Sequence, residues 1–114
     1  SVVLRVNWAG QCVLFTGDIE DAGQQDLLDR HAGRVDCTVM KAPHHGSGRL
    51  LPEFVEAVDP EWVAVSVGPN TYGHPSPKAL AIFEDAGAEI RRTDRLDDVV
   101  LEIDGRGRVS SPAG

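Results

Sequence analysis

Val39-Met40-Lys41-Ala42-Pro43-His44-His45-Gly46-Ser47 decides how the chain is read. A short apolar run stops at a proline, and two adjacent imidazoles, a glycine and a hydroxyl follow. The run predicts a strand, and Pro43 puts both histidines on the loop at its carboxyl end. Open α/β sheets hold their ligands at that edge. Two other stretches share the layout. Val13-Leu14-Phe15-Thr16-Gly17-Asp18 ends in a carboxylate, and Val63-Ala64-Val65-Ser66-Val67-Gly68 leads to Asn70, Tyr72 and His74. Three apolar strands each deliver polar, metal-competent residues at their ends.

The flanking sequence supplies the rest of an α/β pattern. Val2, Leu4, Val6 and Trp8 alternate with Val3, Arg5 and Asn7, as in a strand with one buried face. Ala9-Gly10-Gln11 makes a turn, and residues 12–16 return as the second arm of a hairpin. Residues 21–31 predict a short helix with a narrow stripe of Ala22, Leu27 and Leu28, closed by Gly33. Residues 35–42 are the next strand. Pro52 opens a helix that presents Phe54, Val55 and Val58 on one face, and Pro60 ends it. Residues 62–67 are almost continuously apolar, which predicts burial on both faces. Ser76-Pro77 is a capping hydroxyl followed by proline at the first helical position. The helix it opens buries Ala79, Leu80, Phe83 and Ala86, and Gly87 closes it. Residues 89–93 and 99–103 predict a closing pair of strands, Gly105-Arg106-Gly107 a turn, and residues 110–114 a frayed tail.

One hundred and fourteen residues suit one small domain, and 41% hydrophobic with 25% charged residues is ordinary for a globular chain. No apolar run reaches the roughly 18 residues of a membrane helix. A net charge of −7 argues against nucleic-acid binding through a general basic surface, and leaves open a local basic site or a metal that handles phosphate. Cys12 and Cys37 both fall in predicted strands and read as buried free thiols rather than as a disulfide or a ligand pair. Ser1 begins in mid-strand with no initiator methionine, so the chain reads as cut from something longer.

Each candidate residue has a plainer role beside the chemical one. Asp18 could bridge two divalent metals or cap the following helix. His44 and His45 could be ligands, a general acid or surface residues, because imidazole titrates near neutrality. Ser47 could cap the next segment or bind a phosphate oxygen. His74 could be a ligand or a loop residue set by the turn chemistry around Pro75. Lone His31, at a helix end, suits the helix dipole and receives no role. The gathering of an aspartate and three histidines at one predicted edge favours the functional reading.

At these residues the sequence resembles the metallo-β-lactamase fold superfamily, and in particular the hydrolase domain of ComEC-type competence (DNA uptake) proteins. The resemblance rests on Thr16-Gly17-Asp18-Ile19-Glu20, the stretch from Lys41 to Ser47, Ser66-Val67-Gly68 with Asn70, Tyr72-Gly73-His74-Pro75, and Arg92-Thr93-Asp94, in that order. It covers residues 1–105, leaving 106–114 as a tail. It implies half of a four-layer αββα sandwich, a mixed sheet with flanking helices, as the C-terminal half of the domain. It also implies a site for two divalent metal ions, zinc or manganese. By position Asp18 matches the bridging aspartate and His74 a ligand of the second metal. His44 and His45 match the pair that faces substrate, one of them a proton donor, and Asn70, Tyr72 and Ser47 are candidate substrate contacts.

The superfamily's histidine-rich ligand loop lies upstream of the position of Asp18, where this chain has no histidine, so the first metal site is incomplete. A second departure is Arg95-Leu96-Asp97-Asp98 in place of a glycine-containing turn. The resemblance thus implies part of a metal-dependent phosphodiesterase or nuclease acting on DNA during uptake, inactive alone. Its partners would be the missing N-terminal half and a membrane channel, in an extracytoplasmic domain of a bacterial inner-membrane protein. DNA would meet the metal edge, helped by Lys41 and Arg49. One apolar sheet face should lie uncovered and open to self-association. The alternatives are a soluble hydrolase of another phosphoester and a degenerate module without metal.

Overall fold

The computed structural model describes residues 2–96 and 98–111. β1 (Leu4–Trp8) and β2 (Gln11–Phe15) form the expected hairpin, joined by Ala9 and Gly10, both at positive φ. That is the backbone a two-residue hairpin turn of the mirror-image class requires. β3 (Val39–Lys41), β4 (Trp62–Val65) and β5 (Glu89–Arg92) then add in parallel, giving a five-stranded mixed sheet in the order β1-β2-β3-β4-β5. α1 (Asp21–His31), α2 (Pro52–Val58) and α3 (Pro77–Asp85) are the crossovers. The strand order never reverses, so right-handed crossovers carry all three helices to one face. α1 packs on α2, and α2 on α3. The chain is therefore α/β, and one helix-backed sheet is compatible with half of an αββα sandwich.

The core lies between sheet and helices. Leu14, Met40, Val63 and Val65 point into it from the strands, and Phe54, Val55, Val58, Ala79 and Phe83 meet them from α2 and α3. The stripe expected for α2 is thus fully buried. α3 begins as its sequence predicts, with Ser76 Oγ accepting the Lys78 N–H at 3.1 Å. α1 differs from expectation. Ala22 is exposed, and the residue α1 buries completely is Gln24. Its amide donates to the Arg49 carbonyl at 3.0 Å and accepts from the Leu51 N–H at 2.7 Å, which makes burial of the polar group tolerable.

The opposite face is only partly covered. Val99, Leu101 and Ile103 lie across Val13, Val39 and Ala64, leaving a groove that also includes Phe15, Lys41, Ser66 and Thr93. Beyond it Leu4, Val6 and Trp8 are exposed by 57%, 50% and 55%, and cross-strand Phe15 by 43%. An uncovered apolar face is present, as expected.

Several boundaries are corrected. The third strand is three residues, not 35–42, because a 3₁₀ turn at Ala32–Arg34 precedes it and Cys37 N–H donates to the Val58 carbonyl instead of to a ladder. β4 stops at Val65, and its second face, Trp62 and Ala64, is only half-buried. The segment 99–103 does not join the main sheet. Its end, β6 (Glu102–Ile103), pairs with β7 (Val109–Ser110) in a separate ribbon, after the one-turn α4 (Thr93–Leu96). Residues 106–110 are consequently part of the fold rather than a tail: Gln11 Nε2 donates to the Gly107 carbonyl at 2.9 Å. α4 also occupies the start of the divergent turn at 95–98, of which Asp97 lies outside the described residues, as do Ser1 and residues 112–114.

Cys12 and Cys37 are not free thiols. They form a disulfide, with Cα atoms 5.1 Å apart, because the parallel register of β2 and β3 sets Val13 against Val39 and so brings the two cysteines together. The bridge spans 25 residues of sequence, including the Asp18 loop and α1. Loop-closure entropy for such a span is about 3.5 kcal/mol. Replacing both cysteines by serine should lower the unfolding free energy by about that amount in urea titration. An unchanged midpoint would mean that the bridge does not form in solution.

Candidate functional site

Three loops at the carboxyl edge of the sheet are knitted together by main-chain contacts. The first follows β2. Thr16 is fully buried and its hydroxyl donates to the Lys41 carbonyl at 2.7 Å, tying the end of β2 to the end of β3. Gly17, at φ +58°, turns the chain and offers its carbonyl to the His44 N–H at 3.0 Å. Asp18 emerges beside the histidine loop. It does not cap α1: the N-cap position is Glu20, with no side-chain capping bond.

The second loop carries the strain. His44 (φ 48°, ψ 51°), His45 (φ 54°, ψ 27°) and Gly46 (φ 86°) are left-handed in succession. A non-glycine residue held there costs of order 1–3 kcal/mol. The surroundings hold it: Ser47 N–H donates to the His44 carbonyl at 3.0 Å, and Ser76 N–H to the Gly46 carbonyl at 2.8 Å. Gly46 also lies directly on the third loop, where an added Cβ would sit 2.7 Å from Pro75 Cβ and 2.9 Å from its Cα. This close approach requires glycine as much as the positive φ does.

The third loop, residues 68–76, presents His74 before a cis peptide to Pro75. Its ring lies 5.4 Å from that of His44, centroid to centroid, and exposed Tyr72 stacks on it at 5.8 Å. Asn70 lies inside the loop, bonded to the main chain of Gly68, Tyr72 and His74.

The two adjacent histidines have different surroundings. His45 Nδ1 is 2.7 Å from the Ser66 carbonyl, which can only accept, so Nδ1 carries the proton and a neutral ring keeps its lone pair on Nε2. That Nε2 faces Asp18 Oδ1 at 3.7 Å. A lone pair and a carboxylate so placed repel unless a proton or a cation lies between them. His44 Nδ1 is buried with no hydrogen-bond partner among the described residues, and Glu20 Oε2 at 3.6 Å is beyond bonding distance. His74 Nδ1 is likewise buried without a partner there.

Asp18, His44, His45 and His74 are thus brought to one edge. Ser47 is buried, and its hydroxyl accepts the Arg49 N–H at 3.2 Å. Arg49 is engaged with Glu20 and Asp21 at 3.6 and 3.3 Å, and Lys41 lies in the groove on the helix-free face. Thr93 secures the end of β4, its hydroxyl accepting from the Val67 N–H at 2.8 Å and donating to the Val67 carbonyl at 2.9 Å. Beside it, hydrogen bonds from Arg92 at 3.0 and 2.8 Å hold the Asp94 carboxyl below the usual carboxylate range. Two contributors escaped the sequence reading. The Ser66 carbonyl has no side-chain signal, and Glu20, within the Thr16–Glu20 motif, becomes notable only beside His44.

Carboxylate and imidazole are donor types that a transition metal accepts. Among the described residues no three His, Cys, Asp or Glu side chains converge on a common point, as a structural or catalytic metal needs. The donors come as two pairs, Asp18 with His45 and His44 with His74.

Gly46→Ala should destabilise the chain by roughly 2–4 kcal/mol, combining the positive-φ cost with the Pro75 clash. Gly33→Ala, where an added Cβ meets nothing within 4 Å, should be neutral or slightly stabilising. Equal urea midpoints for the two variants would contradict the packing described.

No protein-family model matches the chain. It is 34% identical over 113 residues to competence protein ComA of Neisseria gonorrhoeae, an alignment covering 97% of this chain and 16% of that protein. It is 32% identical over 97 residues to ComE operon protein 3 of Bacillus subtilis (strain 168), covering 83% of this chain and 12% of the relative. It is 40% identical over 115 residues to the uncharacterized protein YcaI of Escherichia coli (strain K12), covering 97% and 15%. The chain is therefore similar over most of its length to a competence protein and to a ComE operon protein, and spans at most 16% of the length of these curated relatives.

Proposed function

We propose that this chain supplies the strand-end half of a metal-dependent phosphodiesterase site, of the metallo-β-lactamase type, in a competence protein that acts on DNA during uptake. The observation that carries the reading is that Asp18, His44, His45 and His74 lie at one sheet edge, delivered by three consecutive strand ends. The names of the ComA and ComE operon relatives support the biological setting.

In this reading His45 is the proton-handling group. Its Nδ1–H is committed to the Ser66 carbonyl, so Nε2 is the atom that takes up a proton and delivers it to a leaving oxygen. Asp18, facing that nitrogen, stabilises the imidazolium. His44 and His74 present a second pair of imidazoles at the same edge. Because these residues do not complete a metal shell, the remaining donors are assigned to a part of a longer polypeptide outside this chain. The face of Leu4, Val6, Trp8 and Phe15 is the surface that part would cover. The Cys12–Cys37 bridge fits an oxidising, extracytoplasmic compartment, with a membrane channel elsewhere in the full protein. A net charge of −7 disfavours DNA binding through a general basic surface, so in this reading DNA is met at the histidine edge.

DNA cleavage by the full-length protein, with zinc or manganese added, tests the proposal. Asp18→Ala and His45→Ala should each lower the rate by about 100-fold or more. Undiminished cleavage in both variants would overturn it. Hydrolysis of a small phosphoester but not of DNA would keep the chemistry and refute the substrate.

A further inference from the structure

The side chain of Asn70 is fully occupied. Its amide nitrogen donates to the Gly68 carbonyl at 3.0 Å and to the His74 carbonyl at 2.8 Å. Its oxygen accepts from the Tyr72 N–H at 3.1 Å and the His74 N–H at 3.0 Å. An asparagine has two amide hydrogens and two acceptor sites, so nothing is left with which to bind a substrate. Both main-chain polar groups of His74 end on this one side chain. The loop closes around Asn70 as a ring.

The His74 imidazole has no such anchor of its own. Its Nδ1 has no hydrogen-bond partner among the described residues, whereas His45 is fixed through its ring by the Ser66 carbonyl. Apart from the stack of exposed Tyr72, the position of His74 against His44 therefore depends on its backbone. That backbone is held on one side by Asn70 and on the other by the contact of Pro75 with Gly46.

We propose that Asn70 is a positioning residue that acts through His74, in place of the substrate contact expected from sequence. The catalytic significance of this role rests on the hydrolase reading above; the placement of His74 does not. Removing the amide should displace His74 and leave His45 where it is.

Nuclear magnetic resonance of the isotope-labelled chain without metal tests this at a pH of about 8, above the ordinary imidazole range. The wild type should show a ring-to-ring Overhauser contact between His44 and His74. In Asn70→Ala that contact should disappear and the His74 ring signals should move, while those of His45 stay within the spread of a remote control such as Gly33→Ala. Asn70→Asp keeps acceptors for both N–H groups and loses both donated bonds, so it should restore part of the contact.

Persistence of the His44–His74 contact in Asn70→Ala overturns the proposal. So does an equal displacement of His45 and His74 in Asn70→Asp, which serves as the deciding variant should Asn70→Ala fail to fold. A failure of the hydrolase reading would show as absence of cleavage by the full-length protein and would leave these ring contacts unchanged.

Discussion

The contact between Gly46 and Pro75 is the constraint on which the edge depends. Two histidines in the left-handed region are uphill by about 1–3 kcal/mol each, and the side-chain bond of His45 to the Ser66 carbonyl holds one of them and not the other. What offsets that cost is the third loop, pressed against Gly46 at a distance only glycine permits, with the Ser76 N–H bonded to its carbonyl. Releasing that contact would let His44 and His45 relax toward an extended backbone, where successive side chains point to opposite faces. The His45–Ser66 and His44–His74 approaches would then be lost together. Strain at one loop and packing at another are two aspects of one arrangement.

The sheet converts this local constraint into a site. Parallel strands in chain order put the ends of β2, β3 and β4 side by side, so loops far apart in sequence become neighbours. The helix face anchors them: Phe54, Val55, Phe83 and Met40 are completely buried, and Gln24 bonds the segment that follows the histidine loop. The other face does no comparable work along β1 and the end of β2. Its cross-strand row of Leu4, Phe15, Val6 and Val13 has the alternation of a packed strand pair without a covering layer over β1. The chain thus has a cross-braced edge and an exposed apolar back.

Much of this was legible from local chemistry. Ser76-Pro77 announced α3, the Phe54, Val55 and Val58 stripe announced α2, and the apolar runs ending in Asp18, His44 and His74 announced the edge. Each signal is contained within a few residues. What the sequence concealed was long-range. The Cys12–Cys37 bridge depends on the register of two parallel strands, which no spacing rule gives. The ribbon of β6 and β7 is two short pairings that read as a longer sheet strand and a tail. Ser47 and Asn70 looked like ligand residues because their side chains are those of ligand residues. Only the structure shows the Ser47 hydroxyl accepting the Arg49 N–H and the Asn70 side chain bonded within its own loop. The tautomer of His45 is set by a backbone carbonyl, which leaves no trace in residue identity.

If the proposed function holds, this edge, with Asp18, His44, His45 and His74 at neighbouring strand ends, is part of a metal site that these residues do not complete alone. Elemental analysis of zinc and manganese, comparing this chain with the full-length protein after identical metal exposure, tests it most directly. The account predicts close to no retained metal in the chain and about two ions per molecule in the full-length protein, the stoichiometry of a paired-metal hydrolase. About two ions retained by the chain alone, or none by either, would contradict it.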